Sequence, residues 1–196
     1  HRAGGEGDNN RRPLGGGGAP GKDVSMKDKH DGVRSLPVSK TCFVCGEENA
    51  VGLRGRFYVE DDLVKIRMSA DDRHCGYPGV VHGGVVAALL DECMGWAAAR
   101  ALRLMCVTAE LTVRYVKSAP PDPSLVVEAW TTRAHRRMAH CEARLVGPDG
   151  EVYARAEGKF IPLDAERTLA VDDGMVYRGG EERVFERLRG DEPGNG

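Results

Sequence analysis

The most regular hydrophobic pattern in the chain lies between residues 79 and 103. Apolar residues run unbroken over 85–90 and again over 93–99, so they cover every side of a helical wheel. A helix that is apolar all round is normally a buried one. The pattern therefore predicts one long core helix that follows the H-G-G turn of residues 82–84.

Shorter segments on both sides of this helix show the two-residue period of β-strands. Residues 53–60 and 63–69 predict a hairpin before the helix, and three further strands are predicted over 125–133, 141–146 and 151–160. In residues 107–116 the alternation predicts a half-buried strand, with Ala109, Leu111, Val113 and Tyr115 on one side and Glu110, Thr112 and Arg114 on the other. Strands in series with short turns indicate an α+β fold in which an antiparallel sheet of about six strands wraps around one long buried helix.

The residues outside this pattern have a different composition. Residues 1–40 contain 9 glycines and few large apolar side chains, which predicts a disordered N-terminal tail. Residues 41–163 are the predicted folded domain, and residues 164–196, with 9 acidic and 5 basic side chains, are predicted to be an acidic C-terminal extension. Met26 opens a stretch of ordinary composition, so one hypothesis is that residues 1–25 do not belong to the native protein.

Composition and charge narrow the class of protein. A net charge of −2 and an apolar fraction of 41% indicate a soluble globular domain with no general attraction to nucleic acid or to a membrane surface. Asp91 and Glu92 interrupt the one apolar stretch that approaches the length of a membrane span, and no apolar signal segment is visible. We therefore expect a cytoplasmic protein with reduced cysteines.

The start of the predicted helix has features suited to acyl-transfer chemistry. Gly83 and Gly84 leave backbone N–H groups uncovered at a helix N-terminus, where negative charge is favoured, and this arrangement suits a developing oxyanion. Asp91 lies two helical turns after Gly84, on the same face. A carboxylate in apolar surroundings has a raised pKa, as expected of a general base or a nucleophile.

Each of these residues also has a structural interpretation. Asp91 could be paired with an arginine or a backbone group inside the core, and the two glycines could be required only for close packing of helix against sheet. Glu92, on an adjacent face, is interpreted as an interface or rim residue.

The segment G-V-V-H-G-G-V-V-A-A-L-L-D-E at 79–92, together with the strand pattern after it, resembles the hotdog-fold acyl-CoA thioesterases of the PaaI-type branch. The resemblance covers residues 41–163. It implies hydrolysis of an acyl-CoA to a free acid and CoA, with Asp91 as base or nucleophile and Gly83 and Gly84 at the oxyanion. It further implies no metal or redox cofactor, and a homodimer or a dimer of dimers (a homotetramer) whose active site takes residues from both chains.

The resemblance also bears on positions around the turn. Many relatives have an Asn or Gln a few residues before it, where this chain has Gly76, and His74 is the candidate replacement. Thr108 matches a hydroxyl position that assists the carboxylate in mitochondrial relatives, although a structural strand threonine is an equal alternative. His82 is a candidate for orienting the substrate or, alternatively, a histidine held by hydrogen bonds. Gly76 and Val81 are candidate substrate-binding positions.

A basic segment follows in the hairpin of residues 133–140, which contains three arginines and two histidines. Arg136 and Arg137 are candidate contacts for the phosphate groups of CoA, because guanidinium groups bind phosphate well. A solvated hairpin tip is the alternative interpretation. The chain has no recognition motif for nucleic acid, so binding to DNA or RNA is not expected.

The C-x-x-C pair of Cys42 and Cys45 suggests zinc, but a structural zinc site needs four ligands. No second C-x-x-C exists, and His74 and Cys75 would have to complete the site from far along the chain. We therefore predict no metal and an ordered loop that covers the acyl pocket. PaaI-type sequences often have a similar C-x-x-C-G-x-x-N-P-x-G-L segment, and here Ala50 replaces the proline.

Two other functions stay open from the sequence. The first is a non-catalytic acyl-CoA-binding module, which the missing amide at Gly76 favours. The second is a hydratase or dehydratase on the same fold, which would use a histidine, His82 or His74, as its base in place of Asp91.

Overall fold

The computed structural model describes residues 32–190, so most of the predicted N-terminal tail lies outside the described residues. Within this range the helices are α1 (Gly83–Leu102), α2 (Ala165–Asp173) and α3 (Glu186–Arg189), with a short 3₁₀ turn at Asp72–His74. The strands are β1 (Arg34–Ser35), β2 (Val38–Ser39), β3 (Phe57–Glu60), β4 (Leu63–Arg67), β5 (Cys75–Tyr77), β6 (Val80–Val81), β7 (Cys106–Tyr115), β8 (Val126–His135), β9 (Met138–Val146), β10 (Val152–Pro162) and β11 (Met175–Val176).

Seven of the strands form one antiparallel sheet in the order β1-β3-β4-β8-β9-β10-β7. Two small two-stranded pairs, β2 with β11 and β5 with β6, lie outside it. Helix α1 contacts β4, β7, β8, β9 and β10, so the sheet wraps around it. The predicted antiparallel sheet around one long buried helix is confirmed.

Helix α1 forms the centre of the core. No side chain from Val85 to Arg100 is exposed, and Leu89, Leu90, Cys93 and Met94 are completely buried. The helix ends at Arg103, whose φ of 57° is in the left-handed region that commonly terminates helices. Among the described residues, no helix is both long and apolar enough to cross a membrane.

Strand β7 differs from the sequence-based expectation of a half-buried strand. It is the last strand of the sheet, paired with β10 on one side, and most of its residues are exposed. Only Cys106, Leu111 and Val113 are partly buried within it. The alternation was present in the sequence, but burial depends on what covers the outer side of the strand.

The segment after β10 packs onto the same domain. Val184 and Phe185 are buried in the core, and Glu182 accepts two hydrogen bonds of 3.1 Å from the Arg100 guanidinium on α1. Strand β11 pairs with β2, so the two ends of the described chain meet. This contact places residues from both ends beside the middle of α1.

Candidate functional site

The carboxylate of Asp91 projects from α1 toward β7. Thr108 Oγ1 donates a hydrogen bond of 2.8 Å to Asp91 Oδ1. Burial raises the pKa of Asp91, and the hydrogen bond from Thr108 acts in the opposite direction. Asp91 therefore has the environment expected of a proton acceptor, and the structure brings it together with Thr108.

Asp91 and Thr108 line a cavity of about 270 Å³, hereafter the Asp91 cavity. Apolar side chains supply much of its wall, which suits an acyl group. Those side chains come from α1, β10 and the segments around them: Trp96, Met105, Phe160, Val171 and Met175.

His82 caps the N-terminus of α1. Its Nδ1 accepts a hydrogen bond of 2.9 Å from the backbone N–H of Gly84. A Cβ at Gly84 would lie 3.1 Å from the same Nδ1 atom, so the second glycine allows the histidine ring to approach the backbone. The Gly84 N–H is therefore engaged by His82, as in the alternative of a histidine held by hydrogen bonds.

Gly83 is the first residue of α1, where the backbone N–H has no acceptor within the helix. The carbonyl oxygen of Gly83 accepts a hydrogen bond of 2.7 Å from the Tyr115 hydroxyl. Gly83 lines a second cavity, of about 450 Å³, together with Gly76, Val81 and His82. In this chain Gly83, rather than Gly84, is the stronger candidate for an oxyanion donor.

The two halves of the candidate site do not meet within one chain. Gly83 and Asp91 line different cavities. Eight residues separate them, which corresponds to about 12 Å along the axis of an α-helix. A single thioester carbonyl cannot contact both groups of the same chain.

The remaining predicted site residues lie elsewhere. His74 Nδ1 accepts a hydrogen bond of 3.1 Å from the Asp71 backbone N–H, and His74 lines neither the Asp91 cavity nor the Gly83 cavity. Arg136 and Arg137 form the exposed tip of the β8–β9 hairpin, and they line neither cavity. Within one chain, His74 is therefore not brought together with Gly83 or Asp91, and its role in place of the missing amide stays a prediction.

Glu92 lines the Asp91 cavity, and it also has partners that the sequence did not indicate. It points into the chain, where its Oε1 lies 3.4 Å from Cys42 Sγ and 3.8 Å from Cys45 Sγ. Burial raises the pKa of Glu92 to about 8, with smaller contributions from Cys42 and Asp91. The linear sequence carried no signal for this contact, because the cysteines and Glu92 are about fifty residues apart.

Tyr115 is a second residue that sequence reasoning missed. The sequence predicts only the strand face on which Tyr115 lies, yet its hydroxyl donates a hydrogen bond to the first peptide of α1 beside the Gly83 cavity. An aromatic residue near the end of an alternating strand is too common to have indicated this role.

Comparison with known proteins places these features in context. Residues 78–154 match the family model of the thioesterase superfamily. The acyl-coenzyme A thioesterase THEM4 of Mus musculus is 30% identical over 95 residues, which span 48% of this chain and 40% of that protein. PA0474 of Pseudomonas aeruginosa, a provisionally named esterase, is 29% identical over 113 residues, 55% of this chain and 84% of that protein.

Solved structures agree with the sequence relatives. A crystal structure of a thioesterase superfamily protein superposes with a TM-score of 0.56 at 28% identity, covering 63% of this chain and 64% of that chain. The chain matches only about two fifths of the length of THEM4.

Proposed function

Since the chain belongs to the thioesterase superfamily and has its hotdog fold, we propose that it hydrolyses an acyl-CoA thioester to a free carboxylic acid and CoA. The observation that carries this proposal is the half-buried Asp91 carboxylate, held by the Thr108 hydroxyl at the wall of a largely apolar cavity. The name of the THEM4 relatives supports acyl-CoA as the substrate class.

In the first form of the mechanism, Asp91 acts as a general base. It accepts a proton from a water molecule whose oxygen bonds to the thioester carbonyl carbon. The carbon–sulfur bond then breaks, and the CoA thiolate leaves and takes up a proton. In the second form the Asp91 carboxylate itself attacks the carbonyl carbon, expels the thiolate, and leaves an acyl anhydride that water hydrolyses.

Oxygen-18 labelling separates these two forms. In a single turnover in H₂¹⁸O with enzyme in excess, the general-base route puts solvent oxygen into every molecule of acid. The nucleophilic route delivers an oxygen of Asp91 to the first acid molecule when water attacks the protein carbonyl, and the label then appears in Asp91.

The oxyanion that forms during attack needs a donor, and the Gly83 N–H at the N-terminus of α1 suits this role. Within one chain this group lies too far from Asp91, so we propose that each site combines Asp91 of one chain with Gly83 of a second copy. The outer edge of β7 supports this assembly. In the described sheet this ten-residue strand pairs with β10 on one side only, and a free strand edge can pair with a strand of a second chain. A homodimer satisfies this requirement, and a dimer of dimers also does.

The exposed tip of the β8–β9 hairpin supports a role in holding CoA. Arg136 and Arg137 line neither cavity, but both are exposed and so accessible to a long ligand that extends from the site. Their contribution would be to substrate binding, so replacing both with alanine is expected to raise KM several-fold with kcat unchanged.

A hydratase or dehydratase is less consistent with the structure. It would need His82 or His74 as a base, and Nδ1 of each accepts a backbone N–H in a local cap. Asp91 lines a cavity and accepts no backbone N–H hydrogen bond among the described residues.

The test is release of free thiol from short, medium, long and aryl acyl-CoAs by wild type and by Asp91→Asn. Turnover that is lost in the variant supports the thioesterase and its carboxylate. Turnover that survives removes Asp91 from the chemistry. CoA binding without turnover of any substrate assigns the chain to the non-catalytic binding modules.

A further inference from the structure

The C-x-x-C loop, residues 41–53, contains chemistry that thioester hydrolysis does not use. Its two thiols and the Glu92 carboxylate converge, and one ligand atom from each lies within 4.8 Å of the other two. Glu92 Oε1 is 3.4 Å from Cys42 Sγ and 3.8 Å from Cys45 Sγ. His74 and Cys75, which the sequence suggested as additional ligands, are not part of this group.

The backbone of the loop is arranged around the first thiol. Val44 and Cys45 both direct their N–H groups at Cys42 Sγ, at 3.2 and 3.5 Å. Two backbone N–H groups directed at one sulfur favour its thiolate, which is the form of cysteine that binds metals.

Gly46 closes this turn. Its N–H donates a hydrogen bond of 2.8 Å to the Cys42 carbonyl oxygen, and a Cβ at this position would lie 2.3 Å from that oxygen. Only glycine fits so close an approach without a shift of the backbone. The conformation that brings the two thiols together is thus built into the C-x-x-C-G sequence.

The Glu92 carboxylate has two sulfur neighbours, Cys42 and Cys45, and the cluster is partly buried. Among residues 32–190 no lysine, arginine or histidine forms an ion pair with Glu92. Two thiols and a carboxylate that converge without a cationic partner form a set of ligand atoms typical of zinc.

The spacing of the three atoms suits a tetrahedral ion. With Zn–S near 2.3 Å and Zn–O near 2.0 Å, a sulfur and an oxygen ligand are about 3.5 Å apart. The two observed sulfur–oxygen distances, 3.4 and 3.8 Å, bracket this value. We propose that Cys42, Cys45 and Glu92 bind one Zn²⁺ ion, with its fourth position toward the Asp91 cavity.

The ion would tie the C-x-x-C loop to the middle of α1. Cys42 and Glu92 both line the Asp91 cavity, so the metal fixes part of its wall. A Cys42–Cys45 disulfide is the competing outcome for two adjacent thiols, but it would leave the Glu92 carboxylate without a partner.

The first experiment uses the wild-type chain, purified under reducing conditions without chelator. Elemental analysis is expected to find about one zinc per chain. X-ray absorption at the zinc edge is expected to show a mixed coordination shell of two sulfur ligands and lighter oxygen ligands. After the zinc is removed, Co²⁺ is expected to give a sulfur-to-cobalt charge-transfer band at one equivalent. Absence of this band, a zinc shell without sulfur, or a Cys42–Cys45 disulfide in the reduced preparation would overturn the proposal.

Variants then assign the ligands. Cys42→Ser and Cys45→Ser are expected to lose most of the charge-transfer band, and Glu92→Gln to weaken Co²⁺ binding at least tenfold while retaining sulfur ligation. Cys75→Ser is the matched control, because Cys75 is a partly buried cysteine outside the cluster, and it should bind Co²⁺ like the wild type. Loss of binding in Cys75→Ser, or full binding in both other cysteine variants, would contradict the assignment. Circular dichroism identifies any variant that fails to fold. The test of zinc binding by the wild-type chain remains valid even if a variant is lost for this reason.

Discussion

The Thr108 hydroxyl donates a hydrogen bond of 2.8 Å to the Asp91 carboxylate, and thereby joins strand β7 to helix α1. This contact orients one carboxylate oxygen and leaves the other available at the cavity. The pair is therefore the natural starting point for tests of the proposed chemistry.

Replacing Asp91 with asparagine keeps the shape of the side chain but removes its ability to accept a proton. We expect kcat/KM for thioester hydrolysis to fall by about 10²–10⁴, the usual contribution of a general base. Glu166→Gln, which changes an exposed carboxylate on α2, serves as the control and should retain wild-type rates. A thiol-release assay on both variants makes the comparison, and equal rates would exclude Asp91 as base or nucleophile.

Replacing Thr108 with valine removes the hydroxyl at nearly constant volume. Burial raises the pKa of Asp91, and the hydrogen bond from Thr108 lowers it. Loss of this hydrogen bond should therefore raise the pKa of Asp91 further. Because the carboxylate must be ionised to act, the acid limb of the kcat/KM profile should move to higher pH. Thr108→Ser keeps the donor and should follow the wild-type profile. An unchanged profile in the valine variant would indicate a purely structural threonine.

His82 gives a test of capping against catalysis. His82→Ala removes the acceptor for the Gly84 N–H and should lower the free energy of unfolding by about 1 kcal/mol. His82→Asn supplies a good capping side chain and should recover most of that stability. Urea denaturation gives both values. If the asparagine variant is stable but inactive, the histidine has a role in the reaction beyond its cap.

Pairing two defective chains tests the composite site. Asp91→Asn and Gly83→Val should each be inactive as homodimers, the second because a Cβ at this position already lies 3.4 Å from the Tyr115 ring and the larger side chain would crowd the start of α1. When the two chains are co-expressed with different tags and the heterodimer is isolated, one of its two sites is intact. About half of the wild-type activity should then return. If the heterodimer stays inactive while both variants still dimerise, the site is contained within one chain.

Stability of the C-terminal segment should depend on Asp172. Its side chain is 4% exposed and accepts hydrogen bonds from Tyr177 and from Arg189, at 2.6 Å for the Arg189 Nη2. Because Arg189 is partly exposed, Asp172→Asn should cost about 2 kcal/mol, below the full cost of breaking a buried pair.

Asp173 provides the matched comparison, since it contacts the same Arg189 group but is 66% exposed. Asp173→Asn should cost less than about 1 kcal/mol. Thermal unfolding of the two variants measures the difference. Equal losses would show that the environment of Asp172 does not contribute to its ion pair.

Much of the fold could be predicted from the sequence because its signals are local. The uninterrupted apolar runs of α1 require burial, and the alternation in β10 matches its buried Ala154, Ala156 and Phe160. Strand β7 alternates in the same way and is nevertheless exposed, because its place at the edge of the sheet follows from strand order.

The candidate site was less accessible to sequence reasoning. The resemblance indicated Asp91 and Thr108, and the structure brings the two together. The difference between Gly83 and Gly84 depends on where the His82 ring points, and the partners of Glu92 lie on a loop about fifty residues away. Such contacts arise only when distant segments are folded against each other.

The pairing of β2 with β11 bears on how this domain could diversify. Ser39 and Cys42 from one end of the described chain, and Val171 and Met175 from the other, form part of the wall of the Asp91 cavity. These four residues lie outside the seven-stranded sheet and none of their side chains is fully buried, so substitutions at these positions need not disturb the core. Selection could therefore alter the size of the acyl group accepted by remodelling the flanks alone, while the helix and its carboxylate are inherited unchanged.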